Sequence, residues 1–101
     1  MPTITNKVAI ITGASKGIGK GIAEVFASNG CHLILTAREP ASLEQTVTQI
    51  RQKNPSIQVI GIQADIANEN DMSKVVNLAK DRFGRVDILC QNAGIFPIKL
   101  L

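Results

Sequence analysis

The stretch VAIITGASKGIGKGIAEVFASNG, residues 8–30, decides the fold because it contains a strand, a loop and a helix in that order. Residues 8–12 form a short, largely apolar run that ends at a turn, which is typical of a parallel strand buried on both faces. After the loop, apolar side chains recur at helical spacing at Ile18, Ile22, Val25 and Phe26. The pair Asn29-Gly30 then predicts the end of this helix.

The same unit repeats along the chain. Apolar runs predict further strands over residues 33–37, 57–63 and 86–90, and helical spacing predicts two more helices between them. Each connection is long enough for a helical crossover, so we expect a parallel sheet with right-handed crossovers. The prediction is an α/β fold with a Rossmann-like doubly wound parallel sheet, four strands in the order 3-2-1-4 and three helices. At 101 residues, the chain is expected to be a single domain over residues 1–101.

The unusual residues of the chain follow the predicted strands. In this strand order, a crevice opens where the carboxyl ends of strands 1 and 4 meet. Residues 13–19 follow strand 1, Arg38 follows strand 2, Asp65 follows strand 3, and Asn92-Ala93-Gly94 follow strand 4. We therefore expect all of them to lie at one edge of the sheet.

The glycine loop indicates a phosphate site. A loop between a buried strand and a helix N-terminus presents unpaired backbone N–H groups and the positive end of the helix dipole. Its spacing is G-x-x-x-G-x-G at Gly13, Gly17 and Gly19, which is neither the common G-x-G-x-x-G fingerprint nor a P-loop. The alternative, on the loop alone, is an ordinary glycine-rich turn between a strand and a helix.

Three motifs together resemble the short-chain dehydrogenase/reductase family. Residues 12–19, TGASKGIG, match its T-G-x-x-x-G-x-G motif. Asp65 in ADIA matches the family's Asp after strand 3, which implies contact with adenine, and Asn92-Ala93-Gly94 match its N-A-G motif. The chain is most similar to the 3-oxoacyl-acyl-carrier-protein reductase type, although Gln91 stands where many relatives have a second Asn. The predicted cofactor-binding residues are Gly13, Ala14, Ser15, Lys16, Gly17, Ile18, Gly19, Arg38, Asp65, Ile66, Asn92, Ala93 and Gly94.

The end of strand 2 favours NADP, as NADPH, over NAD. An NAD site places a carboxylate there for the ribose 2′-hydroxyl, whereas a basic group accommodates a 2′-phosphate. Arg38 holds this place and Lys16 lies in the glycine loop, although both could be solvated surface charges. Glu39 is the counterargument. Because neighbours in an extended backbone point to opposite sides, we expect Arg38 and Glu39 not to face the ribose together, and Glu39 to begin the second helix.

The resemblance implies hydride transfer between a nicotinamide and a carbonyl or alcohol. The family's proton donor is a Tyr in Tyr-x-x-x-Lys, with a Ser that orients the carbonyl, yet this chain contains no tyrosine. We therefore assign no catalytic residue and expect the cofactor-binding half of an NADP-dependent oxidoreductase, inactive alone. The alternative is a stand-alone, non-enzymatic module that binds nucleotides or another protein. The apolar ending GIFPIKLL favours a truncated fragment of a longer reductase.

Composition excludes other classes of protein. The net charge is +3, the basic residues are scattered and Tyr and Trp are absent, so no nucleic-acid partner is expected. No apolar run is long enough for a membrane span, and no metal site is predicted. Cys31 and Cys90 are expected to be buried thiols, and the localisation cytoplasmic. We expect His32 and Asp87 at the opposite, amino edge. An unpaired strand 4 and the apolar tail predict that the fragment self-associates or is unstable alone, and we expect a homo-oligomer.

Overall fold

The computed structural model describes residues 3–92 and 98–100, in which strands and helices alternate as far as the fourth strand. Ala93 to Pro97 and Leu101 lie outside the described residues, so the exposure of the apolar tail, with Ile95 and Phe96, stays a prediction. In chain order, the elements are β1 (Val8–Ile11), α1 (Gly17–Ser28), β2 (His32–Ala37), α2 (Pro40–Lys53), β3 (Val59–Gln63), α3 (Glu69–Phe83), β4 (Ile88–Cys90) and β5 (Ile98–Leu100).

The sheet has the order β3-β2-β1-β4-β5. The first four strands are parallel, with Ile10 opposite both Ile34 and Leu89, so the predicted order 3-2-1-4 with three helices is confirmed. The expectation that strand 4 is an unpaired edge is wrong. β5 runs antiparallel to β4, with Ile98 opposite Cys90, and supplies partners for backbone groups that a bare edge would leave open.

The sheet is buried on both faces. Alternate residues of β1 and β2 divide between them, with Ile11 and Leu35 packed beside α1 and α2, and Ile10 and Ile34 beside α3. This two-sided burial is the reason that the strands are apolar runs rather than alternating patterns. No helix within the described residues is long and apolar enough to cross a membrane.

The amino edge of the sheet holds structural contacts. The ring of His32 stacks on Phe83 with centroids 5.7 Å apart, and its Nδ1 accepts a hydrogen bond from the Gln58 N–H. Cys31 at this edge and Cys90 in β4 are both buried and unbonded to each other. Burial raises the pKa of the Cys31 thiol to about 11, so this sulfur stays protonated at neutral pH.

Candidate functional site

A cavity of about 600 Å³ opens at the carboxyl edge of the sheet, beside the ends of β1, β2 and β3. Much of its lining consists of residues predicted from the sequence, namely Gly13, Ser15, Lys16, Arg38, Asp65, Ile66 and Asn92. The remaining lining residues are Ala37, Glu39, Ala64 and Ala67. The structure therefore brings the glycine loop and the ends of β2, β3 and β4 to one place.

Several predicted residues lie in the loop but do not line this cavity. Ala14 is fully buried, and its N–H donates to the Thr36 carbonyl at 3.0 Å. Gly19 is buried, whereas Gly17 and Ile18 are exposed at the start of α1. Ala93 and Gly94 lie outside the described residues. The loop thus has a buried side that fixes it to the sheet and an open side at the helix start.

The loop is anchored to the end of β4 through Thr12. The Thr12 N–H donates to the Cys90 carbonyl at 3.0 Å, and the Thr12 hydroxyl accepts from the Asn92 N–H at 3.0 Å. Since Thr12 is buried, these bonds form away from competing solvent. They hold the glycine loop against the strand where the order of the sheet reverses.

Glycine is required at position 19 by close packing. A Cβ there would lie 2.2 Å from the Gly13 carbonyl oxygen and 2.6 Å from Nδ2 of Asn92, so no side chain fits. Gly17 serves a different purpose. Its φ is +62° and a Cβ there would meet nothing within 4 Å, so the backbone is open to an approaching ligand.

Helices α1 and α3 differ in whether a side chain binds the backbone N–H groups at their N-termini. In α3, the Asn68 side chain accepts from the N–H groups of Asn70 and Asp71, and the first turn is acidic. In α1, the N-cap residue Lys16 makes no side-chain cap and the first turn has no acidic residue. The first N–H groups of α1 therefore keep their capacity to bind an anion, with the helix dipole favouring negative charge.

Arg38 and Glu39 both line the cavity, and the expectation that they do not face the ribose together stays a prediction. β2 ends at Ala37, and the chain bends at Arg38, so the alternation of an extended strand no longer applies. Glu39 is the N-cap residue of α2, at the predicted start of the second helix. The Arg38 carbonyl accepts from Nε2 of Gln63 at 2.9 Å, which ties this corner to β3.

Asp65 is held at the end of β3 by its own turn. Its N–H donates to Oδ2 of Asp71 at 2.9 Å, and its Oδ1 accepts from the Ala67 N–H at 2.9 Å. Sequence reasoning missed Ala37, Ala64 and Ala67 as lining residues, although each stands within a few positions of a strand end. Small side chains at these positions keep the cavity wide.

The donor set fits a dinucleotide. Backbone N–H groups at the start of α1, the cations Lys16 and Arg38, and the carboxylate of Asp65 combine anion binding with a hydrogen-bond acceptor. Across residues 3–92 and 98–100, no cluster of His, Cys, Asp and Glu side chains is arranged to hold a metal ion.

Comparison with known proteins relates this chain to dehydrogenases and reductases. Residues 7–100 match the family model described as short chain dehydrogenase. The 3-oxoacyl-acyl-carrier-protein reductase FabG of Buchnera aphidicola is 41% identical over 96% of this chain and 38% of its own length. L-Sorbose reductase from Gluconobacter frateurii, solved with NADPH and L-sorbose, has a TM-score of 0.87 and 38% identity, covering 94% of this chain and 36% of its own.

A further solved structure of similar fold contains NAD. A short chain dehydrogenase/reductase from Burkholderia phymatum, in complex with NAD, has a TM-score of 0.82 and 35% identity over 88% of this chain and 31% of its own. The chain spans between 28% and 40% of the length of the curated relatives that it matches. Similar structures thus hold either nicotinamide dinucleotide.

Proposed function

Because the chain belongs to the short chain dehydrogenase family, we propose that it is the cofactor-binding part of an NADP-dependent oxidoreductase that interconverts a carbonyl and an alcohol. One observation carries this proposal: the start of α1 has no side-chain cap and adjoins a cavity lined by Lys16 and Arg38. The start of α2 is likewise without a side-chain cap, so it is the position of the α1 start beside Lys16 and Arg38 that supports the proposal.

Each residue has a role in this proposal. The N–H groups at Gly17, Ile18 and Gly19 bind the pyrophosphate, and Gly17 allows its close approach. The carboxylate of Asp65 accepts from adenine, and Asn92 borders the nicotinamide side. When bound, the nicotinamide supplies or accepts the hydride.

The proposed preference for NADP rests on the corner formed by Ser15, Lys16, Arg38 and Glu39. The cations Lys16 and Arg38 favour a 2′-phosphate, whereas the carboxylate of Glu39 opposes it. In the part of the chain that the structure describes, the single ion pair joins Arg85 to Asp87, so neither Lys16 nor Arg38 is neutralised by one. Asp65 is a second carboxylate of the cavity, which the proposal assigns to adenine, so the two cations outnumber only the carboxylate of Glu39 at the proposed 2′ corner.

The whole protein's partners belong to the same proposal. Its substrate is a small carbonyl or alcohol compound, with the similarity to FabG favouring 3-oxoacyl thioesters. We also propose that it is cytoplasmic and a homo-oligomer, the latter on the apolar sequence of residues 94–101 rather than on an open edge at strand 4.

The test is the ratio of the dissociation constants for NADPH and NADH, measured at fixed salt. The native chain should bind NADPH about tenfold to a hundredfold more tightly, as expected for one hydrogen bond between charged groups. Arg38→Asp should shrink or reverse this ratio, because the new carboxylate repels phosphate and accepts from the 2′-hydroxyl. Lys16→Ala should act in the same direction with a smaller effect.

Arg82→Asp is the matched control. Arg82 is exposed on α3 and lines a different cavity, with Gln58 and Ile60, so the same change of charge occurs away from the site. It should leave both dissociation constants within about twofold, because screening limits distant charges. Equal affinity for the two cofactors, or a ratio that Arg38→Asp leaves unchanged, would contradict the preference for NADP. Absence of binding to either cofactor would contradict the function itself.

A further inference from the structure

Thr46 joins the middle of α2 to the glycine loop. Its side chain is 2% exposed, and its hydroxyl donates to the Ser15 carbonyl across 3.2 Å. A buried hydroxyl without a partner is costly, so this bond is a stable feature of the native state. It is a contact from outside the loop that fixes the direction of one particular peptide group.

The direction of the Ser15 carbonyl determines the direction of the N–H group of the next residue, Lys16. A trans peptide is planar, so the Ser15 carbonyl and the Lys16 N–H point to opposite sides. The described residues contain no cis peptide bond. With the Ser15 carbonyl turned toward α2, the Lys16 N–H is turned away from α2. This N–H has no hydrogen-bond partner among residues 3–92, and both Ser15 and Lys16 line the cavity.

The peptide lines the same cavity as the residues proposed to distinguish the two cofactors. Ser15 and Lys16 share the lining with Arg38 and Glu39 from the end of β2. Gly17 and Gly19, at the start of α1, do not line it. On the proposed function, a donor at Lys16 serves the ribose end of the dinucleotide rather than the pyrophosphate.

We propose that Thr46 is a positioning residue for the 2′-phosphate of the cofactor. Its hydroxyl holds the peptide between Ser15 and Lys16 so that the Lys16 N–H and side chain face that phosphate together. This inference rests on the proposed function and adds to it a determinant of specificity on α2. Preorganisation of this kind strengthens binding because the ordering of the loop does not have to occur on association.

The experiment compares NADP⁺ with NAD⁺, which differ only in the 2′-phosphate, by calorimetric titration of the native chain and three variants. Thr46→Val removes the hydroxyl with little change in volume, and Thr46→Ser restores it. Thr48→Val is the matched control, because Thr48 is an exposed residue of the same helix. Thermal melts of each variant ensure that binding is measured on folded protein.

Thr46→Val should weaken NADP⁺ binding about fivefold to thirtyfold, which corresponds to the ordering of one residue's backbone. NAD⁺ binding should change less than about twofold. Thr46→Ser should recover the native ratio, and Thr48→Val should keep it. In a ¹⁵N spectrum, the Lys16 amide should shift on addition of NADP⁺ and less so in Thr46→Val.

Each contrary result would contradict either the proposed function or the role of Thr46. If the native chain binds neither nucleotide, the proposed function fails and the role of Thr46 fails with it. If the native chain binds them and Thr46→Val keeps the native ratio, the inference fails while the function stands. Equal losses for both nucleotides, or no recovery in Thr46→Ser, would also overturn the inference, because the hydroxyl would then have only a general structural role.

Discussion

At the scale of single residues, the buried threonines differ in whether their hydroxyl groups form hydrogen bonds. The hydroxyl of Thr12 accepts from Asn92, and that of Thr46 donates to Ser15. Thr36 is also fully buried, on β2, yet within residues 3–92 its hydroxyl has no hydrogen-bond partner. Thr12 and Thr46 thus tie the glycine loop to β4 and α2, whereas Thr36 loses the hydration of its hydroxyl without compensation.

Thr36→Val is therefore expected to stabilise the fold. Valine has nearly the same shape, suits a strand and removes the unpaired hydroxyl, so the free energy of unfolding should rise by about 1 kcal/mol. Urea denaturation would measure it, with the exposed Thr48→Val expected to stay within about 0.5 kcal/mol of the native value. Destabilisation by Thr36→Val would mean that the hydroxyl has a partner.

At the scale of elements, Asp87 joins the amino ends of β1 and β4. Its Oδ2 accepts from the Val8 N–H at 2.9 Å, and its Oδ1 accepts from Nε and Nη2 of Arg85 at 3.1 and 2.7 Å. The Arg85 hydrogen bonds, with that of Val8, hold the pKa of this carboxyl below its ordinary value of 3.8 against the opposing effect of burial. The charged form is thus favoured by the fold.

A lowered pKa determines how stability depends on pH. The native state binds the Asp87 proton less readily than the unfolded chain, so the contribution is complete above pH 3.8 and is lost as pH falls through the lower native pKa. Asp87→Asn should reduce the free energy of unfolding at pH 7, and the difference from the native chain should shrink below about pH 4. Denaturation curves at several pH values test this. A difference that is constant with pH would show that the charge contributes nothing.

Most of the sheet could be predicted because two-sided burial makes its strands apolar. Residues 8–12 and 33–37 indicated β1 and β2, which the structure places at Val8–Ile11 and His32–Ala37. β5 could not be predicted, because Ile98–Leu100 is too short to show a period and its pairing depends on β4. The edge of the sheet that holds the site could be predicted from the strand order. The bend at Arg38 and the hydrogen bond from Thr46 to Ser15, 31 residues away in the chain, could be identified only in the three-dimensional structure.

At the scale of the whole molecule, the proposed function predicts that cofactor binding and proton transfer are separable. The donors and cations proposed for the dinucleotide lie within the sheet and its loops, from Gly13 to Asn92. The resemblance assigns proton donation to a tyrosine, and the chain of 101 residues contains none. We therefore expect binding to depend on groups that are present, and turnover to require a group that these 101 residues do not contain.

We accordingly expect this chain to bind NADPH without reducing ketones. At a hundredfold excess over its dissociation constant, NADPH should raise the free energy of unfolding by about 2.7 kcal/mol, because it binds only the native state. NADPH oxidation with a panel of ketones should stay at the blank rate, since general acid catalysis alone contributes roughly 10²- to 10⁴-fold. Arg38→Asp should reduce the stabilisation by NADPH and Arg82→Asp should keep it, which assigns the effect to the cavity. Ketone-dependent oxidation that follows this protein through purification and falls in Arg38→Asp would show that another group of the chain donates the proton.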